Sequence, residues 1–302
     1  MKRLLLLIAA LGLVLAACGG SSSTAATVDG SDVTVDDVNG LFYEIEGEFT
    51  DEQFAGYLST LIQWTAIEQR AESELEFIAS DDAIAAEVDT ILTETGYAGD
   101  LETFMAEQNV SEDGLDQYAT QLLIEDAVSD ALIGSVVMPS PEDAQAEIEA
   151  NPLEYTQVCA SHILVETEEE AQAVEARLDA GEDFAVVATE VSVDTGSGAN
   201  GGSLACASPA TYVPEFAEAT MTAPIGEVTE PVESQFGFHI IVVDDRTEAT
   251  AEEVQSIMGD RALFDAVDQW LLDSITTADV VVTEQYGTWE IEPSPQVVPP
   301  VA

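Results

Sequence analysis

Residues 157–165, QVCASHILV, and residues 234–245, SQFGFHIIVVDD, hold the only two histidines of this 302-residue chain, His162 and His239. Each histidine sits in a run of aliphatic and β-branched residues, the composition of a strand. If both strands belong to one sheet, both rings can project from the same face and meet. Two neutral imidazoles then share one N–H···N hydrogen bond, each fixing the other's tautomer. Two alternatives stand beside this reading: a pair of separate structural histidines, or half of a metal site. A two-histidine zinc site needs further ligands, and neither HExxH nor Cys-x-x-Cys spacing occurs. No metal and no cofactor is expected.

Outward from the histidines, residues 154–246 read as strand, helix, short helix, glycine-rich loop, strand, helix, strand, strand. The expected strands are 157–165, 202–206, 226–232 and 237–243. The flanks are helical. A short hairpin turns at Asp29-Gly30, and Thr34 caps the helix after it. Thr50 with Gln53 forms a capping box that opens an amphipathic helix through about Glu76. Helices follow near 81–94, 100–108 and 111–133, and another begins at Ser140-Pro141. Thr250 with Glu253 opens a helix to about Thr276. The strand near 280–283 has no local partner, and the N-terminal hairpin is the candidate to receive it. We therefore expect an α+β chain in which residues 28–150 and 250–291 build one mostly helical domain and residues 154–246 are inserted in it. The Pro-rich residues 292–302 read as a disordered tail.

The charge balance excludes whole classes of function. Sixty acidic residues face six basic ones, for a net charge of −54. No basic patch exists to hold duplex nucleic acid or phosphate ligands. Acids spread along the whole chain suit a surface screened by salty water.

Residues 1–17 begin with Lys2 and Arg3 and continue as an apolar run from Leu4 to Ala17. That run is short for a membrane span and fits a secretory signal. Leu15-Ala16-Ala17-Cys18 resembles a bacterial lipobox, which implies cleavage before Cys18 and a lipid on its thiol. Residues 18–27 follow as a flexible tether. Without the leader, the cations are Arg70, Arg177, Arg246 and Arg261, and no lysine remains. Cys159 and Cys206 are then an even pair outside the cytoplasm, which favours a disulfide over a catalytic thiol. Neither cysteine has a basic neighbour in sequence to stabilise a thiolate.

Five short pieces carry a resemblance across residues 154–246: ASHILV, LDAGEDFAVVATEVSVD, NGGSL, VPEFAEATM and IGEVTEPVESQFGFHIIVV. In this order and spacing they resemble the parvulin family of peptidyl-prolyl isomerases. The lipobox, helical N-terminal segment and returning C-terminal helix look like the PrsA and SurA foldases. The resemblance implies a four-stranded antiparallel sheet with surrounding helices. It places the active-site positions at His162, His239, Asp194 and Ser234, and a proline pocket at Leu204, Tyr212 and Phe216, with Phe236 beside it. An ionised Asp194 next to a carbonyl oxygen is repulsive. It is then either neutral, raised by burial so that it donates a hydrogen bond, or charged and orienting the histidines. Ala205 and Ala207 depart from the family's glycine and aromatic residue. Ala207 widens the pocket or leaves Phe236 to fill it. The implied function is an extracytoplasmic, membrane-tethered foldase that binds unfolded exported chains and isomerises their X–Pro bonds. The rival is a non-catalytic holdase with a degenerate parvulin domain.

Overall fold

The computed structural model describes residues 23–43, 48–97 and 100–300. The leader and Cys18 lie outside the described residues. Backbone packing divides the chain into two units, one running to Val136 and resuming at Ala262, the other Val137–Arg261.

The first unit opens with strands β1 (Thr24–Val28) and β2 (Ser31–Thr34), paired antiparallel. Asp29 and Gly30 turn between them at φ 47° and 85°, the left-handed pair that a two-residue hairpin requires. Thr34 and Asp37 form a capping box for α1 (Val35–Gly40). Thr50 and Gln53 do the same for α2 (Asp51–Leu75), whose Leu58 and Ile62 are fully buried. The helices α3 (Asp81–Glu94), α4 (Leu101–Gln108) and α5 (Glu112–Leu132) close over Val88, Phe104, Leu115 and Leu122.

The second unit contains α6 (Pro141–Ala150), β3 (Thr156–Val165), α7 (Glu168–Asp179), α8 (Phe184–Val191), α9 (Thr195–Gly198), α10 (Pro214–Thr222), β4 (Val232–Ser234) and β5 (Gly237–Glu248). Its sheet has three strands, in the order β3-β5-β4, all antiparallel. The expected four-stranded sheet is corrected here. Residues 202–206 do not form a strand; Ser203 and Ala207 make only single bridges to β3. Gly201 and Gly202, at φ 70° and 83°, break the pleat before a ladder can extend. Residues 226–232 likewise contribute a bridge from Val228 to Val242. The left-handed Gly226 and the missing N–H of Pro231 confine regular pairing to β4. The two faces of the sheet bury different cores. Ile163, Val165 and Ile240 pack with residues of α7 and α8. On the other face, Ala160, Ile241 and Val243 pack against Phe216 of α10.

The unit extends beyond residues 154–246. Tyr155 packs with Ala144 and Ile148 of α6 and with Val254 of α11 (Ala251–Thr277). Past residue 261, α11 belongs to the first unit, where Trp270 packs against Ile67, Ala71 and Val128. The chain ends with β6 (Val280–Val282), β7 (Thr288–Glu290) and β8 (Gln296–Val298). β6 pairs antiparallel with β1.

Two expectations about the ends need correction. Residues 24–27 belong to β1, with Ala25 and Ala26 fully buried, so the segment expected as tether is strand in its second half. The 292–302 tail is ordered in part: β8 pairs with β7, and Val297 is buried. The Val297 N–H donates to Ser59 Oγ at 2.7 Å and Gln63 Nε2 donates to the Pro295 carbonyl at 2.9 Å. An apolar side chain with core to fill, plus two hydrogen bonds to α2, outweighs the loop-forming bias of the surrounding prolines.

Candidate active site

Strand register brings the histidines together. His162 lies opposite Ile241, and His239 lies opposite Leu164. Alternation with period two then places both rings diagonally adjacent on one face. Both are buried. Their rings are near-parallel, 17° apart with centroids at 5.5 Å, and their Nδ1 atoms are 3.2 Å apart.

Each outer nitrogen has its own partners. His162 Nε2 is 2.8 Å from Asp194 Oδ2 and 2.9 Å from Ser197 Oγ. His239 Nε2 is 2.7 Å from Ser234 Oγ, which also accepts the Phe236 N–H at 3.1 Å. The groups arrive from three directions. Asp194 is the N-cap of α9, Ser234 ends β4, and the left-handed Gly237 (φ 125°) makes the turn into β5. Gly202, also left-handed, lets its carbonyl accept the His162 N–H at 2.8 Å. A Cβ there would collide with the His162 carbonyl.

The electrostatics fix the direction of the network. The Ser197 hydroxyl, then His162 and the Gly196 and Ser197 N–H groups, hold the Asp194 carboxyl down at about 2 against a smaller opposing effect of burial. Burial and the neighbouring His162 ring push His239 down to about 4. At neutral pH Asp194 is therefore a carboxylate and His239 a neutral imidazole. A carboxylate only accepts, so His162 carries its hydrogen on Nε2 and presents a bare Nδ1. His239 Nδ1–H donates to it, and the bare Nε2 of His239 accepts the Ser234 hydroxyl. One unidirectional chain of hydrogen bonds runs from Ser234 to Asp194. Of the two states open to Asp194 from sequence, the ionised one fits these contacts.

An apolar wall adjoins the network. Phe216 is 3% exposed and meets both imidazoles edge-on, with centroids 5.5 Å from His162 and 5.3 Å from His239. Proline at the first position of α10 sets the helix start that aims Phe216 inward. Tyr212 packs on Phe216 at 4.8 Å, and Leu204 and Tyr212 are half-buried in the same cluster. Phe236 stands apart: it is 60% exposed and does not fill space left by Ala207. Ala207 instead exchanges two backbone hydrogen bonds with Val158, and Ala205 is exposed. Cys159 and Cys206 are joined by a disulfide. Two surface hollows, one beside Ala185 and Gly201 and one beside Tyr155 and Ser256, do not touch the histidines.

Ser197 is absent from the sequence-based expectations although it is 5% exposed and touches both His162 and Asp194. Its signal was available: a serine three residues after a helix-capping aspartate lies within reach of that carboxylate.

Comparison with known proteins identifies the domain that holds these residues. The family model for the rotamase PPIC-type PPIASE domain matches residues 160–245. The chain is 35% identical over 193 residues to the foldase protein PrsA of Halalkalibacterium halodurans, covering 62% of this chain and 58% of that one. It is 49% identical over 87 residues to the foldase protein PrsA of Geobacillus kaustophilus, covering 29% and 31%. Among solved structures, Pin from the psychrophilic archaeon Cenarcheaum symbiosum is 43% identical, covering 30% of this chain and 92% of that one, with a TM-score of 0.28. The chain thus spans a little over half the length of the first curated relative and about a third of the second. Residues 160–245, which hold the two imidazoles and their acid and hydroxyl partners, thus form a parvulin domain, the PPIC-type peptidyl-prolyl isomerase domain.

Proposed function

We propose that this chain is an extracytoplasmic peptidyl-prolyl cis-trans isomerase and foldase, tethered to a bacterial membrane by a lipid on Cys18 and acting on unfolded exported polypeptides. The observation that carries the reading is the junction of an apolar wall with a polar chain. The Phe216 ring meets both imidazoles of a network anchored by Asp194 and Ser234.

An X–Pro bond isomerises over a barrier of about 18–20 kcal/mol set by amide resonance. No covalent bond breaks, so neither nucleophile nor cofactor is needed. A catalyst must hold the proline ring and favour the twisted amide over both planar forms. Phe216, Tyr212 and Leu204 supply apolar surface for the ring, with Phe236 at the exposed rim for a flanking residue. His162 and His239 supply a floor whose tautomers are locked, so its dipoles need not reorganise as the carbonyl swings. Asp194 acts in its charged form through His162, and Ser234 through His239.

A protease-coupled assay with proline tetrapeptides tests this reading. The chain from residue 19 onward should accelerate isomerisation. His162→Ala and Asp194→Ala should each lower kcat/KM about tenfold or more. A wild-type rate equal to background would remove the activity. The tether is tested separately: Cys18→Ser should abolish labelling by radioactive palmitate and release the chain from membranes.

A further inference from the structure

Ser197 is a buried corner of the network, as deep as the two imidazoles. It is 5% exposed, on the four-residue helix α9. Its Oγ lies 2.6 Å from Asp194 Oδ2 and 2.9 Å from His162 Nε2, while those two atoms are 2.8 Å from each other. The three atoms form a closed triangle. The only polarity that satisfies all three sides has the Ser197 hydroxyl donating to the carboxylate, and the His162 Nε2–H shared between carboxylate and serine oxygen. The other carboxylate oxygen, Oδ1, accepts the Gly196 N–H at 2.9 Å. Asp194 is thus held at both oxygens, and its side chain is 31% exposed, the most open member of the triangle.

We propose that Ser197 is a positioning residue of the active site: through its bonds to Asp194 and His162 it fixes the tautomer of His162 and, through it, the direction of the whole histidine chain. The role presupposes the isomerase reading for its catalytic consequence, but not for its structural one. Without this hydroxyl, Oδ2 loses its shortest donor and His162 Nε2 loses its second acceptor. The carboxyl then takes up a proton more readily. His162 can turn its hydrogen to Nδ1, where it would face the Nδ1–H of His239 and break the link at 3.2 Å. The titratable groups around the triangle are His162 on β3 and His239 on β5. Glu215 of α10 acts on His239 in turn.

The chain has two histidines and no others, so 15N-histidine labelling of the full chain gives a spectrum of two imidazoles. In the wild type at pH 7, His162 should show a pyrrole-like Nε2 and a pyridine-like Nδ1, with a carboxylate inflection felt at His162 near pH 2. In Ser197→Ala, that inflection should rise by about one pH unit and the His162 tautomers should mix. Isomerisation kcat should fall about tenfold with KM unchanged. Ser197→Thr, which keeps a hydroxyl, should restore the tautomer. Wild-type His162 protonated on Nδ1 would overturn the proposal without any variant. So would Ser197→Ala spectra and titration identical to wild type. A wild type that lacks isomerase activity but shows the tautomer change in Ser197→Ala would defeat the proposed function and leave the positioning role standing.

Discussion

Burial has a thermodynamic signature at His239 that can be read without substrate. Its folded value of about 4 lies below the ordinary 6.5. The unfolded chain therefore binds a proton as pH falls through 6.5, while the folded chain stays neutral until about 4. Stability from this group is complete above 6.5 and declines toward 4, by on the order of 3 kcal/mol in all. Asp194 behaves alike lower down, its contribution lost between about 3.8 and 2. Between pH 6.5 and 5, before most carboxylates protonate, the urea midpoint should drop with falling pH. His239→Gln should flatten that slope whatever its own stability. An equal slope in the variant would assign it elsewhere. The meeting of His162 and His239 was legible because each sits in a strand-like run, whereas Asp194 and Ser234 came only from the resemblance to the parvulin family. Ser197 was not legible, because a serine in a Gly-rich loop resembles any capping serine until the fold brings it to a histidine 35 positions away.

Two cross-links between elements carry testable energy. The Cys159–Cys206 disulfide ties β3 to the segment that bridges it, enclosing α7, α8 and α9 and so the Asp194 loop, with a sequence separation of 47. Loop-closure entropy puts the stabilisation at about 2–4 kcal/mol. The Cys159→Ala, Cys206→Ala variant should lose that much unfolding free energy in urea, and reduced wild type should match it; an unchanged midpoint would show the tie to be energetically idle. Arg70 links α2 to α11. Its guanidinium stacks 4.6 Å from the Trp270 ring, Nη1 donates to the Trp270 carbonyl at 2.9 Å, and Nε pairs with Glu74 at 3.0 Å. Trp270 Nε1 donates to the same Glu74 at 3.2 Å. Arg70→Ala should cost about 2 kcal/mol. Arg70→Lys should recover less than half, because an ammonium cannot stack and fork at once; full recovery would reduce the clamp to net charge. Long helices with capping boxes, such as α2 and α11, were readable from Thr50/Gln53 and Thr250/Glu253. The single bridges at Ser203 and Val228 and the three-residue β8 were not, since pairings this short are set by tertiary partners rather than by pattern.

At the scale of the whole molecule, strands from distant parts of the sequence meet. β6 pairs with β1, a contact foreseen only because an isolated strand needs a partner and the hairpin around Asp29-Gly30 offered an edge. The chain carries sixty acids and six bases, and two of the four cations beyond the leader are occupied inside the second unit. Arg177 binds Glu182 and Glu190, and Arg246 donates to the Thr220 and Ala223 carbonyls. Most of the carboxylates therefore repel one another through solvent. The Debye length shortens from about 30 Å at 0.01 M salt to about 3 Å at 1 M, so added salt removes repulsion concentrated in the compact state. Thermal unfolding should shift upward as NaCl rises from 0.01 to 1 M, by roughly 2–4 °C for each kcal/mol relieved. Tetramethylammonium chloride should give the same shift at equal ionic strength, because screening depends on charge rather than on ion coordination. A rise with sodium alone would indicate specific cation binding by carboxylates. A melting temperature that does not move with either salt would mean that the acids are spaced widely enough for water alone to separate them.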